Sequence, residues 1–348
     1  MNAEIPPQTP VKASFSGEGA VIYLIGTAGH PNYGDELITA TWLRYLAEEL
    51  PDAEVWLDTP RPGQAAVLLG GLHPGLRTVD TLYHACWNAP RRDPDETLEF
   101  GAQVVEDPGL IPREATGVED LARVDLVHIL GGGYINRLWP DYLALVGAAR
   151  AVGNKYGAGV ALTGAGLTPL VEGSDVAMSK LLADFDVVDV RDEPSEAAFA
   201  SNVPQLTMSG DDALLGLDNP KVFGTEGATP TMLCLQSDLL EVPLEVLADY
   251  VVRTLRSWGV DQDPVTLVEC LPPSDTKVVA LLQPHLPQLD VLPFSALWRA
   301  GFPAAPGQRW LSTRFHPHLL AAAAGAWGVA LPISQSYYRT KHDSLIQL

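Results

Sequence analysis

The chain has 348 residues, 47% hydrophobic and 19% charged, with 43 acidic against 22 basic side chains and a formal net charge of −21. That length accommodates about two domains with sizeable cores. The acidity argues against nucleic acid and against an anionic membrane surface as partners, since both attract basic patches, and it means that an anionic small molecule would need a local positive pocket.

Residues 1–10 are polar and proline-bearing, which is not the pattern of a signal peptide, and residues 1–19 read as a flexible arm. Residues 20–25 (AVIYLI) form a continuous apolar run, as in a central parallel strand. A glycine-rich polar loop follows at residues 26–35 (GTAGHPNYGD). Residues 36–50 show helical spacing of Leu37, Ile38, Trp42, Leu43, Leu46 and Leu50, and residues 54–58 read as a second strand. This strand–loop–helix–strand unit opens an α/β domain. Residues 59–118 are interrupted by proline, glycine and charge clusters. Short helices are expected near 79–87 and 98–105, with loops that serve the acceptor of whatever reaction occurs.

Regular spacing returns with a strand at 124–130 followed by Gly131, Gly132 and Gly133, a helix at 140–152 and a strand at 159–163 ending in Gly164 and Gly166. A helix capped by Ser174 is expected up to Ala183, then strands at 187–190 and 206–208. The stretch 217–230, rich in Gly, Asn, Pro and Thr, reads as a linker. A second block then repeats the alternation: strand 232–236, helix 244–258, strand 265–269, helix 274–282, strand 289–292, helix 294–299, strand 311–313, an alanine-rich helix from Pro317 to Gly325 and a strand at 329–333. The weakly polar run 319–333 contains two glycines and a proline and is too short to span a bilayer. The expected organisation is an N-terminal Rossmann-like domain over 20–216 and a C-terminal one over 231–348, facing a cleft. In such sheets ligands bind beyond the carboxyl ends of the strands, and nearly every polar cluster of this sequence falls at such an end.

Four of these ends invite chemistry. In residues 312–318 (STRFHPH), Arg314 and His316 fall in a strand-to-helix turn where free N–H groups favour an anion. Binding and proton transfer on an anionic substrate is one reading; an Arg314–carboxylate pair with His316 as a helix cap is the other. Asn32, Gly34, Asp35 and His30 lie in the first glycine loop, which lacks both the dinucleotide and the P-loop spacing. Asp35 there is either a helix cap or a ligand contact. The triple glycine serves a tight turn or close backbone approach to a ligand. Arg191 can grip a carboxylate or phosphate bidentately, or pair with Asp192 or Glu193. The histidines are not read as metal ligands, so no metal site is expected; His128, inside an apolar strand, reads as a satisfied core residue. Cys86, Cys234 and Cys270 form no metal spacing and no disulfide framework, which fits a reducing compartment, and Cys234 and Cys270 read as core.

Taken in order, Asn32-x-Gly34-Asp35, Gly131-Gly132-Gly133, Arg191-Asp192-x-x-Ser195, Arg314-x-His316 and Tyr338-x-x-Lys341 resemble the polysaccharide pyruvyl transferase family over nearly the whole chain. The resemblance implies a two-domain fold similar to GT-B glycosyltransferases. It also implies transfer of pyruvate from phosphoenolpyruvate onto two hydroxyls of one sugar in a polysaccharide or glycolipid precursor. His316 would be the catalytic acid or base, and Arg191 and Arg314 would hold the donor's anionic groups. Asn32, Gly34, Asp35, His30, Gly131, Gly132, Gly133, Tyr338 and Lys341 would contact substrate. The scheme calls for phosphoenolpyruvate as donor and no metal, nucleotide or redox cofactor. It places the protein in the cytoplasm, at the inner face of the membrane if the acceptor is lipid-linked. A final helix packing back on the first domain is expected to be short or missing. Rival readings on the same scaffold are a nucleotide-sugar glycosyltransferase and a non-catalytic glycan-binding protein. The acceptor sugar, the ketal's regiochemistry and the oligomeric state are not defined by the sequence.

Overall fold

The structure, a computed structural model, describes residues 19–90 and 93–333. Tyr338, Lys341, any final helix and nearly all of the 1–19 arm lie outside the described residues.

The chain builds two parallel sheets. The first holds β1 (Val21–Ile25), β2 (Glu54–Asp58), β3 (Leu76–Val79), β4 (Leu126–Ile129), β5 (Gly159–Ala165), β6 (Val187–Val190) and β7 (Leu206–Met208), in the order β3-β2-β1-β4-β5-β6-β7. The second holds β8 (Thr231–Cys234), β9 (Val265–Val268), β10 (Leu289–Leu292), β11 (Arg309–Ser312) and β12 (Trp327–Ala330), in the order β10-β9-β8-β11-β12. Each order reverses once, between β1 and β4 and between β8 and β11, as in a doubly wound sheet. Such a reversal leaves a crevice beyond the strand ends. The central strands β1 and β8 are buried at every position and apolar except for Thr231, because helices cover both faces of such a sheet.

The two sheets are joined by one shared core. Its buried members include Leu24, Tyr33 and Leu37 from the first unit and Met232, Phe302, Trp310 and Phe315 from the second. Tyr33 packs edge-on to Trp298 and tilted against Phe302, with ring centroids 5.9 and 5.4 Å away, and its N–H donates to the Cys270 carbonyl at 2.9 Å. Burying one such aromatic ring contributes about 1.5–3 kcal/mol. The stretch between the two sheets is not loose: Gly224 N–H donates to the Phe302 carbonyl and Phe302 N–H to that of Val222, which lays the chain against the second sheet.

Several boundaries differ from the sequence reading. Residues 59–118 are largely regular, with β3 and helices Pro62–Leu69, Thr81–Asn88, Pro94–Glu106 and Ala115–Asp120. Each is short, so no periodic signal accumulates, and Val79 ends a strand instead of starting a helix. Helix Pro94–Glu106 is capped by Asp93, which accepts from the N–H groups of Asp95 and Glu96. It crosses helix Leu143–Tyr156 so closely that a Cβ on Gly101 or Gly147 would fall 2.0 or 1.9 Å from a facing carbonyl oxygen. Ser174 does not cap its helix; its hydroxyl donates to the Val171 carbonyl. The helix expected at 274–282 is broken into Ser274–Thr276 and Val279–Leu282, because Asp275 turns inward to accept from the N–H groups of Cys270 and Leu271. Among the described residues no helix is long and apolar enough to cross a membrane.

Candidate active site

A cavity of about 270 Å³ opens where the two reversal points face each other. The first unit contributes Thr27, His30, Asn32, Gly34 and Asp35 after β1, Gly133, Tyr134, Trp139 and Tyr142 after β4, and Arg191 after β6. The second contributes Asp238 and Leu239 after β8, Cys270 and Leu271 after β9, and Arg314, Phe315 and His316 after β11. The carboxyl ends of both sheets thus supply one lining.

Arg191 is fully enclosed. Its Nη1 lies 3.0 Å from Asp211 Oδ2 and its Nε 3.5 Å from Asp192 Oδ2, with all three side chains at most 3% exposed. Its guanidinium rests over the Phe315 ring at 4.4 Å, a cation–π contact reaching across to the second unit. Gly166 leaves the space for it, since a Cβ there would sit 2.5 Å from Nε. Asp192 also caps helix Glu193–Phe199 by accepting from Ser195 N–H, and the Ser195 hydroxyl oxygen accepts from Leu167 N–H. The Arg-Asp-x-x-Ser spacing therefore fixes the arginine's position through the start of its helix.

Arg314 occupies the N-cap position of helix Phe315–Ala323. Its Nε donates to both Asp275 oxygens at 2.8 and 2.9 Å, and its Nη2 donates to Asp275 and, at 2.7 Å, to Asp238. The carboxylate pairing foreseen as one alternative is therefore present, while the guanidinium still lines the cavity. The helix begins at Phe315, two residues before Pro317, so His316 stands in its first turn and not in the preceding bend. Its Nε2 lies 3.3 Å from Asp211 Oδ1. Its ring lies against Gly34: a Cβ at residue 34 would come within 1.8 Å of Nδ1. The Asn32-x-Gly-Asp sequence is thereby a seat for His316, and only a residue without a side chain leaves room for the imidazole.

Asp211 escaped the sequence reading. It bridges Arg191 of the first unit to His316 of the second. Burial works to raise its carboxyl pKa, but His316, then Arg191 and the Ala213 N–H, outweigh that and hold it well below the usual carboxylate range. The neighbouring Asp212 faces the opposite way, accepting from Trp42 Nε1, Gly131 N–H and the Thr163 hydroxyl at 2.8 Å each; burial raises its pKa to about 6. The signal available was the Gly-Asp-Asp at a strand end, but sequence does not say which aspartate turns toward the cleft.

The remaining candidates divide. Asn32, Gly34, Asp35, His30 and Gly133 line the cavity. Asp35 is inside helix Tyr33–Glu49 and not its cap; it accepts from Asn32 Nδ2 at 2.8 Å. His30 is solvent-exposed, and burial of its inner edge, then Arg61, lowers its pKa. Gly131 and Gly132 stand behind the cavity wall: Gly131 is held by Asp212, and Gly132, at φ +123°, bridges to Ala165. Their close approach is to protein and not to the cavity. His128 is buried, 2.8 Å from the Thr163 hydroxyl and edge-on to Trp42; burial lowers its pKa to about 4. Among the described residues, none that lines this cavity comes from 59–118. Cys234 and Cys270, distant in sequence, do converge. Their sulfurs and an Asp275 oxygen lie within 4.8 Å of one another, although that carboxylate is already engaged by Arg314 and two N–H groups.

Two doubly wound sheets sharing an arginine-bearing cleft define the class, a two-domain α/β protein with a cavity between its halves. A family model for polysaccharide pyruvyl transferase matches residues 32–259, and the chain belongs to that family of transferases of polysaccharide biosynthesis. No curated protein matches the sequence. Among solved structures, the chain is similar to a putative UDP-N-acetylglucosamine 2-epimerase from Listeria monocytogenes, with 11% identity over 94% of this chain and 82% of that one and a TM-score of 0.53. It is also similar to UDP-GlcNAc 2-epimerase from Neisseria meningitidis bound to UDP-GlcNAc, with 12% identity, 92% and 84% coverage and a TM-score of 0.52. A further likeness is to Phytolacca americana UGT2, with 12% identity, 93% and 82% coverage and a TM-score of 0.49. At such identity the likeness to the two epimerases defines the fold alone, a GT-B-like pair of Rossmann domains.

Proposed function

We propose that the protein is a ketal pyruvyltransferase that takes pyruvate from phosphoenolpyruvate and joins it to two hydroxyls of one sugar in a polysaccharide or glycolipid precursor. The observation that carries this reading is the convergence of Arg191 and Arg314, one from each sheet, with His316 around a single cavity. Phosphoenolpyruvate bears a carboxylate and a phosphate on adjacent groups, and two guanidinium groups match that charge pattern. In this scheme a proton is delivered to the methylene carbon, which makes C2 electrophilic. A sugar hydroxyl adds at C2 and gives up its proton, phosphate departs with the C–O bond electrons, and a second hydroxyl closes the ketal. Proton transfers in both directions suit an imidazole, and Asp211 orients His316 for them. The arginines offset the negative charge as it moves to phosphate. The reaction belongs where phosphoenolpyruvate is available, in the cytoplasm, and at the inner face of the membrane for a lipid-linked acceptor. Donor and acceptor are the partners this chemistry requires.

Thermal-shift titration separates this reading from a nucleotide-sugar glycosyltransferase. Phosphoenolpyruvate raises the melting temperature in proportion to the logarithm of its concentration, and UDP-sugars do not. Stabilisation by a UDP-sugar alone would overturn the donor assignment.

A further inference from the structure

Each arginine of the cleft is oriented by buried carboxylates: Asp211 and Asp192 for Arg191 and Asp275 for Arg314, with side chains 1%, 3% and 0% exposed. Arg314 has, in addition, a second carboxylate of different character. Asp238 is 33% exposed, lines the cavity, and reaches Arg314 Nη2 at 2.7 Å from the loop that follows β8. Asp275 is fixed by the N–H groups of Cys270 and Leu271 as well as by the arginine. For Asp238 no comparable anchor of the carboxylate is seen among the described residues; only its backbone carbonyl is held, by Gln236 Nε2 at 3.0 Å.

The loop itself is strained. The next residue, Leu239, has φ +55°, and it is the one non-glycine residue in the left-handed region among the described residues. That conformation is unfavourable for a branched side chain, and Leu239 is 45% exposed, so packing does little to enforce it. Beside it the Ser237 hydroxyl is buried with no hydrogen-bond partner. Backbone strain and an unsatisfied polar group at a ligand site mark a segment with a second arrangement available.

We propose that Asp238 occupies on Arg314 the position that an anionic group of the substrate takes, and that anion binding displaces it, releasing the loop around Leu239. Asp238 then sets the affinity of the cleft for anions: it neutralises the arginine while the site is empty and yields to a ligand whose charge and fit are better. A weak anion competes poorly against it, so the exchange also discriminates against chloride and simple carboxylates. This inference deepens the donor reading above and rests on it.

The test is calorimetric titration of inorganic phosphate and of phosphoenolpyruvate into the wild-type protein, Asp238→Asn and Asp263→Asn. Asp263 is an exposed carboxylate of the second unit that does not line the cavity, so it controls for simple removal of negative charge. Asp238→Asn is expected to tighten both anions by roughly three- to tenfold, the scale of a half-exposed ion pair, and Asp263→Asn to change them little. If the wild type binds phosphoenolpyruvate and Asp238→Asn binds it no more tightly, Asp238 is no competitor and the donor reading stands alone. Equal tightening by Asp263→Asn would likewise overturn the exchange. If neither anion binds any of the three proteins, the donor reading itself fails and the exchange with it.

Discussion

Asp211 makes two demands on one carboxylate, and they come from different halves of the molecule. Oδ2 holds Arg191, and Oδ1 lies beside His316. Asp211→Asn keeps the shape but removes the charge, leaving a buried guanidinium less well compensated, a change that is strongly destabilising when a buried pair is broken outright. The expected outcome is a lower melting temperature and a fall in kcat of about 10²-fold, the usual range for loss of one acid–base element, while KM for the donor changes less. Steady-state kinetics beside thermal denaturation check this, and unchanged kcat would remove Asp211 from the mechanism. The sequence made Arg191, Arg314 and His316 legible because a cationic side chain at a strand end is conspicuous in so acidic a chain. Asp211 was not legible because acidic residues abound here, and its role depends on contacts 20 and 105 residues away.

At the scale of elements, the strands were readable because parallel strands buried on both faces are continuous apolar runs. Helix starts near the cleft were misplaced by two or three residues, at Tyr33 and Phe315, for a related reason. Asn32 and Arg314 stand at N-cap positions without side-chain caps to the backbone; their side chains are turned instead to Asp35, Asp238 and Asp275. Function at these ends displaces the capping signal. The same helix carries a titrating element. Glu36 is fully buried and accepts from Gly29 N–H at 2.7 Å, tying the glycine loop to the helix. Burial raises its pKa to about 8, with the loop N–H groups pulling the other way. A carboxyl whose folded pKa exceeds its unfolded value binds the proton more tightly when folded. Its stabilising contribution is complete below about pH 4.5 and is lost as pH rises toward and through 8. Between pH 6 and 8 the melting stability should fall by on the order of 1 kcal/mol per pH unit from this group. Glu36→Gln, which keeps an oxygen acceptor, should flatten that slope; parallel slopes for the two proteins would contradict the shift.

At the scale of the whole molecule, two sheets of the same winding share one core, and the site is where their reversal points oppose. Tyr33 at the start of one helix and Phe315 at the start of another sit at that join, and so do Gly34 and His316 beside them. A displacement between the halves would therefore part His316 from its glycine seat and from Asp211 together. This arrangement was inferable only in outline. The alternation of elements predicted two Rossmann-like units, but which strand ends meet depends on the packing between units, and periodicity carries no information about that. The irregular stretch 59–118 shows the limit most clearly: its short elements carry no periodic signal, yet they supply Leu82, Tyr83, Cys86, Leu98 and Val104 to the core of the first unit. The claim on which the rest depends is transfer of pyruvate to a glycan. Its most direct test is mass spectrometry of the glycan and glycolipid fraction from cells lacking the gene, after incubation with the purified protein and phosphoenolpyruvate. The predicted result is the appearance of one pyruvyl ketal on an acceptor sugar, with phosphate released in equal amount, and no such product with His316→Ala at unchanged melting temperature. Addition of a hexose from a nucleotide sugar, with no pyruvylated species under any condition, would contradict it.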